Sequence, residues 1–167
     1  MKSLKTLVSL SALTVCLGAA SMANAATISP AGAAFSTPAS TISVSSPASL
    51  NAPVNCGITF TGTVAASGAS ASITGATVSG GGLCAVPVLL GLPWTLTPTG
   101  TGPGVFAGTV SGVNFKIVND CATAPTTINV TFDNSTNTLS IPSAQTVGKC
   151  KITKLDVHPN PAFTVAP

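Results

Sequence analysis

The sequence predicts an all-β protein, with one antiparallel β-sandwich of the Ig-like or Greek-key type. Apolar and β-branched residues alternate with polar ones over several short segments, which is typical of strands with one buried face. Gly, Ser, Thr and Pro are dense between those segments, as they are in turns. Four widely spaced cysteines can brace such a domain. The pattern favours two packed sheets over a closed barrel.

Residues 1–25 are predicted to be a cleaved signal peptide. Lys2 and Lys5 precede an apolar stretch at 7–20, and Ala23-Asn24-Ala25 fits the small-x-small rule for signal peptidase. The stretch is short for a membrane span, and no later run reaches the roughly 18 apolar residues that a span needs. We therefore expect a secreted protein without a transmembrane segment.

Very few charged residues remain after that peptide: four lysines, three aspartates and no Arg or Glu. A nucleic-acid-binding face needs clustered Lys and Arg to displace counterions, so nucleic acid is excluded as a partner. The chain also has little electrostatic protection against association with apolar surfaces or with its own copies.

Residues 26–55 are predicted to form an extended arm rich in Ala, Ser, Thr and Pro, ahead of a sandwich domain at 56–167. Within the arm, Ile42-Ser43-Val44-Ser45 alternates in polarity and predicts a short edge strand, where nearby prolines are tolerated. The overlapping segment of Thr41, Ile42, Ser43 and Val44 is a candidate strand for donation to the sheet of a neighbouring copy.

Of the five cysteines, Cys16 lies in the predicted signal peptide, and the four that remain are an even number in a chain predicted to be exported, which favours two disulfides. Three pairings are open. We favour Cys56 with Cys84 and Cys121 with Cys150, because these close loops of similar length that begin with similar strands. A zinc site is the rival interpretation, but the sequence has no C-x-x-C pair, and no metal or other cofactor is expected.

The segment 85–94 is the most apolar run outside the leader. Pro87, Gly91 and Pro93 exclude a long helix, so the run is either a buried irregular strand or a lipophilic loop. In the second case it supplies the candidate apolar contact residues, which are Val86, Val88, Leu89, Leu90, Leu92 and Trp94.

The segment 105–121 carries the densest strand pattern. Val113, Phe115 and Ile117 alternate with polar or small neighbours, which predicts that Phe115 is buried and Lys116 is wet. Gly112 predicts a turn or bulge between two strands. Further on, the polar run 133–137 predicts a hairpin loop.

Catalysis has little support in the sequence. His158 with Asp120, Asp133 or Asp156 could provide a base and an acid, but there is no G-x-S-x-G nucleophile motif and no glutamate. We therefore predict that the protein is not an enzyme, and we assign no catalytic residue.

The leader, the ATISPAGAAF segment after it, the NCGITFTGTV strand and the four spaced cysteines resemble the PraB-type protein activators of alkane oxidation. The resemblance extends along the whole chain. It implies a secreted, non-enzymatic factor that helps cells use alkanes by emulsifying or contacting the oil, with alkane droplets as the partner. It supplies no site residues.

Two alternatives remain open at this point. One is a subunit of an extracellular fibre or biofilm matrix, assembled by strand donation between copies. The other is a carrier of a small apolar ligand inside the domain, which depends on the run 85–94.

Overall fold

Short strands make up most of the computed structural model, which describes residues 26–100 and 102–167; the predicted signal peptide lies outside this range. Two short 3-10 helices, Pro47–Ser49 and Gly82–Ala85, interrupt the strands. The strands are β1 Thr27–Ser29, β2 Ala34–Ser36, β3 Ser40–Ser45, β4 Pro53–Val64, β5 Ala71–Ser79, β6 Pro87–Leu89, β7 Trp94–Pro98, β8 Val105–Val113, β9 Phe115–Ile117, β10 Asn119–Asp120, β11 Thr126–Asp133, β12 Thr138–Ser140, β13 Gln145–Val147, β14 Cys150–Val157 and β15 Thr164–Ala166.

Eight of these strands close into an antiparallel barrel, so the predicted Ig-like sandwich is wrong. The hydrogen-bonded order is β12-β11-β8-β7-β5-β4-β3-β14. The ring closes because β12 also pairs with β14, where Leu139 lies opposite Val157 and Ser140 opposite Asp156. β2 pairs with β4 and β13 with β14 beside this ring. Closure pairs the backbone N–H and C=O groups that stay unpaired at the edges of an open sheet.

Strand β3 lies inside the barrel wall, not at the edge that the sequence suggested. Ile42 is paired with Cys56 of β4 on one side and with Leu155 of β14 on the other. The prolines that flank this segment fall in the connections at either end of β3, where they interrupt no ladder. Donation of Thr41–Val44 to another copy would therefore require the barrel to open.

The segment 105–121 has the predicted register. Two residues of β8, Ser111 and Gly112, oppose one residue of β11, and Gly112 has a φ of 83°, which is a β-bulge of the kind that glycine permits. The extra residue lets Val110 and Val113 face the same side, so that Val113, Phe115 and Ile117 are all buried. Lys116 is half-buried on the other face.

The polar run 133–137 forms the predicted hairpin turn between β11 and β12. The Asp133 carboxylate accepts hydrogen bonds from the Ser135 backbone N–H at 2.8 Å and from the Ser135 hydroxyl at 2.6 Å. These bonds, the hydroxyl first, hold the pKa of Asp133 below its ordinary value of 3.8.

We expect an acid-sensitive turn as a result. A carboxyl whose pKa is lowered on folding adds stability above its unfolded pKa and loses it as the pH falls through the folded one. The pKa of Asp133, followed by carbon-detected NMR, should therefore lie below 3.8. The variant Ser135→Ala keeps the backbone N–H and should raise that pKa only part of the way; an unchanged pKa would show that the hydroxyl has no role.

Candidate functional site

The two ends of the barrel differ in how they are closed. At one end, which we call the closed end, Phe163 packs against Phe35 at 5.1 Å and Phe132 at 6.3 Å between ring centroids. All three rings are buried. The short sheet of β1 and β15 lies at this end, where Asn134 bonds the Val165 backbone through both of its amide atoms. This end is sealed by aromatic packing.

The other end, which we call the mouth, carries the long connections. The registers of β3 with β4 and of β8 with β11 place the connections 46–52, 80–93, 114–125 and 141–149 there. Pro87–Leu89 and Asn119–Asp120 both pair with Phe115–Ile117, which makes a small three-stranded sheet over the mouth. The sequence predicted strands on either side of these connections, but no pattern in it predicted that the connections lie together at one end of the domain.

Both disulfides fasten the mouth connections to the barrel wall. Cys56 of β4 is bonded to Cys84 in the connection 80–93, and Cys150 of β14 to Cys121 in the connection 114–125. The Cα–Cα distances are 5.5 and 5.2 Å. The favoured pairing is therefore confirmed.

Strand β6 separates the apolar run 85–94 into two faces. Pro87 and Leu89 point to the barrel interior, whereas Val88 lies on the outer face and is 46% exposed. Val86 is exposed as well, Leu90 and Leu92 are half-buried, and Trp94 is buried. The run is thus neither wholly core nor wholly a lipophilic loop, since period-2 alternation assigns its residues to opposite sides.

Exposed apolar side chains are concentrated at the mouth. In the described part of the chain, five large hydrophobic residues are exposed, and four of them belong to the mouth connections or their small sheet. We call these four the mouth patch: Leu50, Val86, Val88 and Val118. The fifth, Val105, lies at the closed end. Sequence reasoning found Val86 and Val88 but missed two others: Leu50, a single apolar residue among turn formers, and Val118, which directly follows Ile117 at the end of a strand pattern.

Leu50 and Val118 are also held in an unusual backbone conformation. Leu50 is 91% exposed with a φ of 54°, and Val118 is 62% exposed with a φ of 65°. The left-handed region is unfavourable for a β-branched residue, and Asn or Gly would be accommodated there with less strain. A polar side chain at such an exposed position would serve folding equally well. Backbone strain of this kind tends to occur at functional sites.

An apolar cavity of about 90 Å³ lies inside the barrel. All eight barrel strands contribute to its wall. One lining residue from each strand is Ile42, Ile58, Ile73, Leu96, Val110, Ile128, Leu139 and Ile152. An empty apolar cavity of this size costs the fold about 2 kcal/mol, at roughly 24 cal/mol per Å³.

The cavity wall offers little to water. Its polar side chains, within the described residues, are the hydroxyls of Thr37 and Ser46, and the Thr37 oxygen already accepts a hydrogen bond from the Phe60 N–H at 2.8 Å. No described residue with a charged side chain lines it. Where the wall reaches the mouth, Val44, Val54 and Leu89 are half-buried, so the cavity approaches solvent at that end.

The titratable residues do not form a site at the mouth. His158 Nε2 lies 2.9 Å from Asp156 Oδ1, and its Nδ1 lies 3.3 Å from the Thr138 hydroxyl. This group sits at the end of β14 near the closed end, with His158 and Asp156 both exposed by more than a third. Asp133 is committed to its turn, and Asp120 lies across from Lys116 in the small sheet. Across residues 26–100 and 102–167, no cluster of three or more His, Cys, Asp or Glu side chains could hold a metal ion.

The described part of the chain contains no helix with the length and apolar character needed to cross a membrane. Compared with models of protein families, residues 1–167 match the family described as alkane oxidation protein activator PraA/PraB-like. This match confirms the resemblance found in the sequence. No curated protein and no solved structure matches the chain.

Proposed function

We propose that this chain, which belongs to the PraA/PraB-like family of alkane oxidation activators, promotes alkane oxidation by direct contact with the hydrocarbon. The mouth patch makes that contact. The protein acts in this proposal as an exported accessory factor without catalysis, and its partner is the surface of an alkane droplet. Emulsification follows from the same contact, because adsorbed protein stabilises droplets.

The observation that carries the proposal is the one-sided placement of exposed apolar residues. Singly scattered apolar side chains are normal on any surface, but exposed apolar side chains that gather at one end of a domain make that end a candidate site of contact. Four of the five exposed large hydrophobics described are at the mouth, and two of these are held there at the expense of backbone strain. The barrel thus presents one apolar end.

Four charged residues lie at the mouth end, namely Lys116, Asp120, Lys149 and Lys151, and adsorption by this end has to leave their charged groups in water. Apolar area gains about 25 cal/mol per Å² on leaving water, whereas burying an unpaired charge costs several kcal/mol. Lys116 is the lysine of the small sheet, and it lies on the outer face beside Val88 with Asp120 across from it. Long lysine side chains can keep the ammonium group in water while the stem covers apolar surface.

The disulfides support function at an interface as well. Adsorption tends to unfold proteins, because an oil phase competes for their buried apolar residues. Here the two connections that carry Val86, Val88 and Val118 are each fastened to a barrel strand by a covalent bond. Two disulfides also fit an exported protein, since thiols are kept reduced in the cytosol.

The double variant Leu50→Asn, Val118→Asn tests the patch. We expect adsorption to hexadecane droplets to fall by a factor of about 100, because two large apolar side chains contribute roughly 3 kcal/mol when they leave water. Interfacial tension and a droplet depletion assay both measure this. Asn tolerates the left-handed conformation, so the thermal stability of the variant should be equal to or above that of the parent.

The control is Val105→Thr, which removes an apolar side chain that is 51% exposed at the closed end. It should adsorb as the parent does. If the control and the double variant lose adsorption alike, contact is not directed by the mouth. If neither loses any, the patch has no part in contact with oil.

A further inference from the structure

We propose that the barrel interior binds one uncharged linear alkyl chain, inserted end-on through the mouth. This inference takes hydrocarbon as the ligand class from the proposed function, but it concerns a different place: the cavity and not the outer surface. It would give the protein a site for individual alkane molecules in addition to a surface for droplets.

The size and closure of the cavity point to end-on insertion. An eight-stranded barrel has an interior that is either filled by its own side chains or wide enough for one small ligand. About 90 Å³ is free here, which is room for roughly six or more waters at 10–15 Å³ each. That volume accepts a short alkyl segment and not a whole long-chain alkane. Because Phe35, Phe132 and Phe163 seal the closed end, the remainder of the chain has to leave through the mouth.

The chemistry of the wall excludes water as a stable occupant. A buried water needs two to four polar partners, and genuinely apolar cavities stay dry and take up apolar ligands. Thr37 is engaged by Phe60, which leaves the cavity hydroxyls too few to hold a cluster of waters. An alkyl chain needs no polar partner at all.

No described wall residue is charged, so a fatty acid can insert only by its methyl end, whereas either end of a neutral chain can enter. A carboxylate inside this cavity would meet no cation and would pay the full cost of desolvation. The part of a neutral chain that emerges from the cavity passes the half-buried wall residues Val44, Val54 and Leu89, which are apolar.

Trp94 provides a built-in probe of occupancy. It is the single tryptophan of a chain without tyrosine, it lines the cavity, and its indole lies 6.5 Å from the Phe60 ring between centroids. Its Nε1–H donates to the Leu90 carbonyl at 3.0 Å, so the polar edge of the indole is satisfied and the apolar face is left for a ligand.

The test uses 1-bromooctane, whose heavy atom quenches tryptophan fluorescence on contact, with the purified disulfide-bonded protein below the solubility limit of the probe. We expect saturable quenching with one molecule per chain, reversed by excess n-octane. The carboxylate 2-bromooctanoate, whose bromine lies beside the charged group, should quench far less at equal concentration. Absence of saturable quenching overturns the inference, and equal quenching by the carboxylate overturns its selectivity for a neutral chain.

Two variants locate the bound probe. Val54→Phe places a phenyl ring where the half-buried wall meets the mouth and should weaken binding by about tenfold, since it occupies ligand volume. Val88→Phe adds the same ring on the outer face of the small sheet and should leave binding unchanged. If Val54→Phe does not fold, the parent protein still decides, because its saturation and its competition by octane need no variant. Equal affinity of a folded Val54→Phe places the probe outside the cavity and overturns the inference.

Droplet adsorption separates this inference from the proposed function. Adsorption of the parent without saturable quenching leaves the surface proposal standing and removes the interior site. Saturable quenching without adsorption supports the interior site and removes the surface proposal. We expect the double variant Leu50→Asn, Val118→Asn to lose adsorption while it keeps saturable quenching.

Discussion

Replacing Phe115 by Ala is expected to destabilise the barrel by about 3 to 5 kcal/mol, the usual cost of truncating a buried Phe. Phe115 is 7% exposed, lines the interior next to Leu89 of β6, and lies three residues after the bulge at Gly112. Its loss would enlarge a cavity that is already present, so the neighbouring side chains would have little to collapse onto. Urea unfolding of the parent and the variant measures the difference.

Lys116→Ala is the matched control, because it truncates the next residue of the same strand on the opposite face. We expect a change within about 0.5 kcal/mol, as for most substitutions at the surface. Equal losses from the two variants would mean that the register of β9 is wrong. Added n-octane should restore part of the stability of the Phe115→Ala variant, since a ligand bound only to the folded state stabilises it.

Removing either disulfide by a pair of Cys→Ala substitutions is expected to cost roughly 3 to 4 kcal/mol on the chain-entropy model for loops of this length. The sequence separations are 28 and 29 residues, so the two losses should be nearly equal. Two such losses together would consume a large share of the net stability of a typical domain. Thermal unfolding of the oxidised protein, of each double variant and of the reduced protein measures these effects.

Local mobility should distinguish the two disulfides even though their removal is expected to lower the free energy of unfolding by nearly equal amounts. The Cys121 backbone also donates to Phe115 at 3.1 Å and accepts from Lys149 at 2.7 Å, so its connection stays fixed without the disulfide. The Cys84 N–H bonds only within its own turn, to Gly81 at 3.3 Å. Hydrogen exchange at 80–86, the part of the connection that precedes the paired strand β6, should therefore rise in the variant without Cys56 and Cys84. Unchanged exchange there would show that packing of Leu83 and Leu89 is sufficient to hold the mouth.

The sequence by itself determined the features that depend on neighbouring residues. Alternation of Val113, Phe115 and Ile117 with polar residues predicted which side of the strand is buried, because side chains of a strand point to opposite faces in turn. Gly112 predicted a bulge, and 133–137 a hairpin loop, because these residue types adopt turn conformations at low cost. An even count of widely spaced cysteines predicted two disulfides, and loop similarity favoured the pairing that the structure has.

Only the tertiary structure decided between sandwich and barrel, and with it the candidate site. The sequence pattern of a strand with one apolar face is the same in a sandwich and in a barrel. Closure of the barrel depends on the pairing of Leu139 with Val157, which no local sequence pattern predicts. The same long-range register made Thr41–Val44 an interior strand and brought the connections 46–52, 80–93 and 114–125 to one end. Leu50 and Val118, far from the run 85–94 in sequence, thereby joined Val86 and Val88 in one patch, because closing a barrel brings together strand ends that are distant along the chain.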